Sequence, residues 1–202
     1  IEGEVRDAIA ALLVDCRRRR CVAVDVGANV GWMSAYILSL GAFVHAYEPQ
    51  SDLARALRDT AHLNCWHAQL HVHNAFVCPS ARLGCLQPRI PSGAFRSEGG
   101  IPARAELTPA AGVLLDTVLA RAGPVVHLLK LDGDGPEPDW MAELALRAIR
   151  RQPPFVEAIT VEHMPHVRAV DARAMWNFQQ AGYDLYRLDA DDTRRWIGST
   201  GW

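Results

Sequence analysis

At 202 residues, half of them hydrophobic and 22% charged, the chain has room for one α/β domain and is too apolar to be intrinsically disordered. A formal net charge of -2 argues against a nucleic-acid partner, whose phosphates call for a basic excess. No run of about 18 apolar residues is present, so no transmembrane helix is expected within the sequence.

Five cysteines, Cys16, Cys21, Cys65, Cys78 and Cys85, contain no Cys-x-x-Cys pair. No zinc site is read from them, and free or buried thiols of a reducing compartment are expected, which favours the cytoplasm. One disulfide closing the irregular stretch between Cys78 and Cys85 is the alternative. The first residue is Ile1 and no signal-peptide pattern follows, so a piece of a longer, targeted or anchored chain is a further reading.

Taken in order, Ile1, Val5, Ile9, Leu12, Leu13 and Cys16 recur at helical spacing, and Arg17 to Arg20 close that segment as a solvated helix end. A contact of this basic run with phosphate or anionic lipid is the weaker reading. Cys21 to Val26 is a short β-branched run that predicts a buried strand. A helix over Gly31 to Leu40, a strand over Phe43 to Tyr47, and a helix from about Ser51 (as N-cap) to Asn64 follow. Leu70 to His73 alternates as a third strand. From about 78 to 111 the chain is rich in Pro, Gly, Ser and Arg and reads as an irregular insertion over a substrate site. Beyond it come a helix over Val113 to Ala122, an apolar central strand over Val125 to Leu131, and a helix over Trp140 to Arg150. A strand over Ala158 to Glu162, a helix over Val170 to Gln180, and a closing hairpin from Tyr183 complete the pattern. Strands alternating with helices predict a single doubly wound domain over 1–202 with a mostly parallel sheet.

In such a sheet ligands bind beyond the carboxyl ends of the strands. The first strand runs into Asp25-Val26-Gly27-Ala28-Asn29-Val30-Gly31, where Gly27 suits a tight turn beside a ligand and Gly31 a close approach of helix to strand. Asn29 tolerates left-handed backbone and offers an amide. The second strand ends at Glu48-Pro49, about 20 residues on, where a carboxylate can accept hydrogen bonds from a ribose diol. NAD and S-adenosylmethionine both meet this description. A dinucleotide site wants a second glycine where Ala28 stands, and the charge of Asp25 would repel pyrophosphate while suiting a sulfonium.

Several stretches together resemble the FkbM family of S-adenosylmethionine-dependent methyltransferases. They are Val24 to Trp32, Ala46-Tyr47-Glu48-Pro49, Leu114 to Val118, Leu128 to Glu137, and Gly182-Tyr183, in the expected order over nearly the whole chain. The resemblance implies a Rossmann-like, seven-stranded methyltransferase sheet with a C-terminal antiparallel hairpin, and O-methylation of a sugar or natural-product hydroxyl. It places Asp25, Gly27, Ala28, Asn29 and Gly31 along the methionine part of the cofactor, Glu48 and Pro49 at the ribose, Asn74 at the adenine, and Asp132 beside the reacting methyl group. The chain departs from the family in Asp132-Gly133-Asp134-Gly135-Pro136-Glu137, where an extra glycine is expected to loosen the loop.

Methyl transfer needs alignment and removal of the hydroxyl proton. Asp132 and His163, at strand ends on the same sheet edge, are the candidate catalytic residues; His163 can act near neutral pH, and Asp132 reads more readily as an orienting residue. A divalent cation on Asp132, Asp134, Glu162 and His163, or a metal on His71 and His73, is considered and not adopted. Among the tryptophans, Trp32 is placed near the cofactor. The partner expected is a small-molecule or glycan acceptor. Two other readings stand beside this one: a non-catalytic module of the same fold, and an NAD-dependent oxidoreductase.

Overall fold

The computed structural model describes residues 2–80, 86–88, 107–109, 112–133, 136–161, 172–188 and 194–196. Helices α1 (Glu2–Leu12) and α2 (Cys16–Arg19) lead into strand β1 (Val22–Val26), followed by α3 (Trp32–Ser39), β2 (Phe43–Tyr47), α4 (Ser51–Leu63) and β3 (Leu70–His73). Short strands β4 (Val77–Cys78), β5 (Leu86–Pro88), β6 (Leu107–Pro109) and β7 (Val113–Leu114) precede α5 (Leu115–Ala122). Then come β8 (Val125–Val126), β9 (Leu128–Leu131), α6 (Glu137–Ile149), β10 (Phe155–Val156), β11 (Ile159–Val161), α7 (Ala172–Gln180), β12 (Tyr186–Leu188) and β13 (Arg194–Trp196).

Five strands form the central sheet in the order β11-β9-β1-β2-β3, every pairing parallel. The α/β class and mostly parallel sheet follow from the alternation of strands with helices, because parallel neighbours need a crossover connection and the helices supply it. β12 and β13 pair antiparallel with each other in a separate ribbon.

The pleat sorts the sheet residues into two cores. Val24, Val26, Tyr47, Leu129 and Leu131 point to the face covered by α5, α6 and α7, where Val118, Leu119, Trp140, Leu144 and Phe178 are buried. Ala23, Val44, Ala46 and Leu128 point to the other face, under α1, α3 and α4, with Ile9, Leu13, Ile37 and Leu57. Each fully buried aliphatic side chain of this kind contributes roughly 1.5–3 kcal/mol.

Three expectations need correction. The strand read as continuous from Val125 to Leu131 is broken at His127, whose Nδ1 accepts a 3.0 Å hydrogen bond from the Val22 N–H in place of a backbone carbonyl. Gln50, not Ser51, stands at the N-cap of α4, and its side chain makes no capping hydrogen bond. The free-thiol reading fails as well, because Cys16 and Cys21 form a disulfide and Cys78 is also disulfide-bonded; among the described residues Cys65 alone is a free thiol, and it is exposed. The cytoplasmic preference loses the support it drew from those thiols.

Candidate functional site

The chain lays β1, β2 and β3 outward in one direction and then returns to place β9 on the other side of β1. This reversal is the topological switch point, and the crevice belongs above the carboxyl ends of β1 and β9. Gly27 follows β1 and Asp132 follows β9, and the two loops touch there. A Cβ on Gly27 would stand 1.6 Å from the Asp132 carbonyl oxygen, and the Gly27 φ of +73° is one that side chains resist. Gly27 is therefore required by packing of loop on loop, before any ligand is considered. Gly31, at φ +84°, is required by Leu57 of α4, whose Cδ1 would lie 2.0 Å from an added Cβ. The close approach expected between helix and strand is instead one between loop and α4.

Beneath the loop, Asp25 is wholly buried. Its Oδ1 accepts a hydrogen bond from Lys130 Nζ at 3.1 Å, and its Oδ2 accepts one from Ser34 Oγ at 2.6 Å. Asp25 and Lys130 are direct cross-strand neighbours, so pleat and register bring them together on the face below α3. Lys130 also lies 3.1 Å from Asp132 Oδ2 and 3.4 Å from the Gly27 carbonyl. Burial disfavours its ammonium, but Asp25 and Asp132 together outweigh that cost and hold the Lys130 pKa above its ordinary value. The charge of Asp25, expected to face a ligand, is thus already compensated inside the protein. Asp132, with about a third of its side chain exposed, is the carboxylate that faces outward.

Glu48, 3% exposed, braces the same loop. One carboxylate oxygen accepts from the Asn29 N–H and the other from the Gln50 N–H, both at 2.8 Å. Burial raises its pKa, the two N–H donors acting against that rise. Asn29 adopts the left-handed conformation, φ 52°, with its side chain exposed. The amide of exposed Asn74 donates to the carbonyls of Glu48 and Pro49 at 2.9 Å each, fixing the turn after β2. The N–H groups of Gly27 and Ala28 donate to the Tyr47 carbonyl, and that of Gly31 to Ala28.

Asp25, Gly27, Ala28, Asn29, Gly31, Glu48, Pro49, Asn74 and Asp132 are accordingly tied into one hydrogen-bonded and packed cluster. Trp32 opens α3 beside them and is 55% exposed. His163, Glu162 and Asp134 lie outside the described residues. Gly133 does not loosen its loop: an added Cβ would meet the Trp140 ring at 2.4 Å, and its N–H donates to Glu137 Oε1 at 2.6 Å. No group of three or more His, Cys, Asp or Glu among the described residues is placed to hold a metal ion. Lys130 and Ser34 were not singled out from the sequence. A lysine inside the apolar run Leu128 to Leu131 was the available signal, since a charge in a central strand demands a partner.

No protein-family model matches this chain, and no curated protein matches it. The functional reading rests on the residues and their arrangement.

Proposed function

We propose that the protein is an S-adenosylmethionine-dependent methyltransferase acting on a hydroxyl of a sugar or other small-molecule acceptor. One observation carries the choice of ligand: the loop at the switch point turns the N–H groups of Gly27, Ala28, Asn29 and Gly31 inward, onto Tyr47, Glu48 and Ala28 itself. A pyrophosphate needs such N–H groups aimed at it, so the dinucleotide reading is disfavoured. Around the same point the carboxylates of Asp25, Glu48 and Asp132 outnumber the single ammonium of Lys130, which suits a cationic adenosine ligand without phosphate. In this proposal the sheet is the core of a seven-stranded methyltransferase fold, with β12 and β13 as its closing hairpin.

When bound, S-adenosylmethionine would supply an activated methyl group on a sulfonium, with the neutral thioether as leaving group. Asn29 and Asp132 hold the methionine side, Glu48 with Pro49 the ribose side, and Asn74 the adenine side. His163 is proposed as the base that would take the proton of the acceptor hydroxyl as the hydroxyl oxygen accepted the methyl group. Asp132, anchored by Lys130, orients the donor and acceptor in line.

Titration calorimetry of the intact chain with S-adenosylhomocysteine tests the ligand. Saturable heat that weakens on Asp132→Asn is expected; no heat from the intact chain overturns the proposal. A second reading, a non-catalytic module, is favoured by Glu48, whose two carboxylate oxygens are already engaged with the protein's own backbone. Methylated product from a panel of hydroxyl acceptors decides between the two.

A further inference from the structure

The end of the molecule opposite the switch point carries a basic surface of unusual construction. Parallel strands place their N-termini there, together with the C-termini of the crossover helices. The hexapeptide Cys16-Arg17-Arg18-Arg19-Arg20-Cys21 is closed by the disulfide between its ends, with both cysteines buried and all the arginines exposed. The ring is fixed to the fold on three sides. Arg17 donates to the Ser39 carbonyl at 3.1 Å, Arg19 pairs with Glu157 at 3.0 Å, and Arg20, in left-handed backbone, lies 5.6 Å over the Phe43 ring.

Besides the ring, which Arg19 ties to Glu157 just after β10, the same end carries a second basic pair, Arg150 and Arg151, where α6 ends and turns toward β10. Arg18, Arg150 and Arg151 are exposed, and their side chains form no hydrogen bond or ion pair among the described residues. The acidic groups at this end include Asp15, the already paired Glu157, and exposed Asp184, which follows Tyr183, whose hydroxyl donates to the Val156 carbonyl. Large apolar side chains stand among the arginines: Val14 is 75% exposed, Phe155 52% and Leu12 48%. The whole chain carries a net charge of -2, so this surface is a local basic pole on an otherwise acidic protein.

We infer that this pole docks the protein on an anionic membrane surface, the arginines meeting lipid headgroups and Val14, Leu12 and Phe155 entering the interface. Phosphate backbones of nucleic acid, or a sulfated polysaccharide, would be met by the arginines but would leave those apolar side chains unused. A bilayer interface satisfies both kinds of group at once. Three uncommitted arginines held on a rigid frame lose little freedom on contact. With β1 rising about 17 Å over its length, the carboxyl edge of the sheet, and with it the candidate site, faces away from the lipid. The inference does not depend on the reaction proposed for that site.

Co-sedimentation of the full chain with phosphatidylcholine vesicles, with and without phosphatidylserine, tests it. Binding is expected only with phosphatidylserine, weakening as salt is raised. The triple variant Arg18→Glu/Arg150→Glu/Arg151→Glu should lower the partition coefficient by about a hundredfold or more, each arginine near an anionic surface being worth about fivefold. Val14→Ser with Phe155→Ser should also lower it while preserving the salt dependence, since no charge is altered. The three arginine side chains have no partner among the described residues, so thermal melts of the triple variant should match the parent; each single variant, with its fivefold loss, serves if the triple one fails to fold. Equal partition onto both vesicle types, or affinity unchanged by charge reversal, overturns the inference. So does binding to a DNA duplex or to heparin without binding to phosphatidylserine vesicles.

Discussion

Two polar clusters are built into the same sheet, on opposite faces, and they solve the problem of burial in opposite ways. Under α3, Lys130 keeps its charge, because register makes Asp25 its cross-strand neighbour and Asp132 adds a second carboxylate, while Ser34 donates to Asp25. On the α5 face, β2 and β3 set His45 beside His71 and Tyr47 beside His73. His45 Nδ1 and His73 Nε2 lie 3.3 Å apart, and the His45 and His71 rings are 4.9 Å apart between centroids. No carboxylate is among the groups that shift the His45 and His73 pKa values, so burial and like charge keep those imidazoles neutral. A buried charge is sustained where an opposite charge shares its strand register; without one, the group gives up its proton. The first cluster lies at the switch point and shapes the candidate site, whereas the second makes the fold sensitive to acid.

The most forceful way to break this contrast is to remove the ammonium. Lys130→Met leaves Asp25 buried without its counter-charge, and a loss of about 3–5 kcal/mol is expected in urea denaturation. Asp25→Asn combined with Lys130→Met should recover part of it, because the uncompensated charge is then gone. Equal losses in the single and double variants would mean that packing of the lysine stem, not charge, holds the cluster.

Next in size is Gly27→Ala, which probes how firmly the first cluster is locked to the loop above it. A methyl group there meets the Asp132 carbonyl and must adopt a positive φ. Strain and overpacking together should cost about 2–4 kcal/mol. The same substitution should weaken S-adenosylhomocysteine binding by displacing Asp132. A melting temperature equal to the parent's would show that the two loops part easily.

Reduction of the Cys16–Cys21 bond sharpens the comparison by supplying a perturbation remote from both clusters. Closing a loop of this size is worth about 2 kcal/mol on the chain-entropy account. Changing Cys16 and Cys21 both to Ser isolates that bond from Cys78. The double variant should lose about that much stability while ligand binding at the far end of the sheet is unaltered.

These contrasts also mark how far the sequence alone reaches. The β-branched run before Gly27, the alternation of Leu70 to His73, and the acid closing β2 all declare themselves locally, because periodicity and turn chemistry act over a few residues. Their placement in one parallel sheet follows from the helices between them. What escapes is whatever depends on partners far apart in the chain. Asp25 and Lys130 are separated by 105 positions, so the charge that looks available to a ligand is found to be spoken for. His127, lying in an apolar run, gives no sign that its ring replaces a carbonyl toward Val22. Gly133 looks like slack until the Trp140 ring is placed against it.

The smallest effect expected belongs to the histidine cluster, and its sign is fixed by the direction of the shift. Burial first, then His71 and His73, lower the His45 pKa to about 4. A histidine with a depressed folded-state pKa binds its proton more readily when unfolded. Its neutral form therefore costs nothing above the unfolded value of about 6.5, and stability is lost as pH falls from there toward 4. Discounted for partial solvent access, the loss is roughly 1–2 kcal/mol. Glu48 and Glu143 act the other way, their raised pKa values favouring the folded state as acid is added, so the whole-protein profile mixes both signs. The difference in urea stability between the parent and His45→Gln isolates the histidine. The parent should fall relative to the variant between pH 6.5 and 4, and the two profiles should run parallel above pH 7. Parallel profiles throughout would mean that His45 takes up its proton as readily in the folded protein as in the unfolded chain, and that burial does not hold the second cluster neutral.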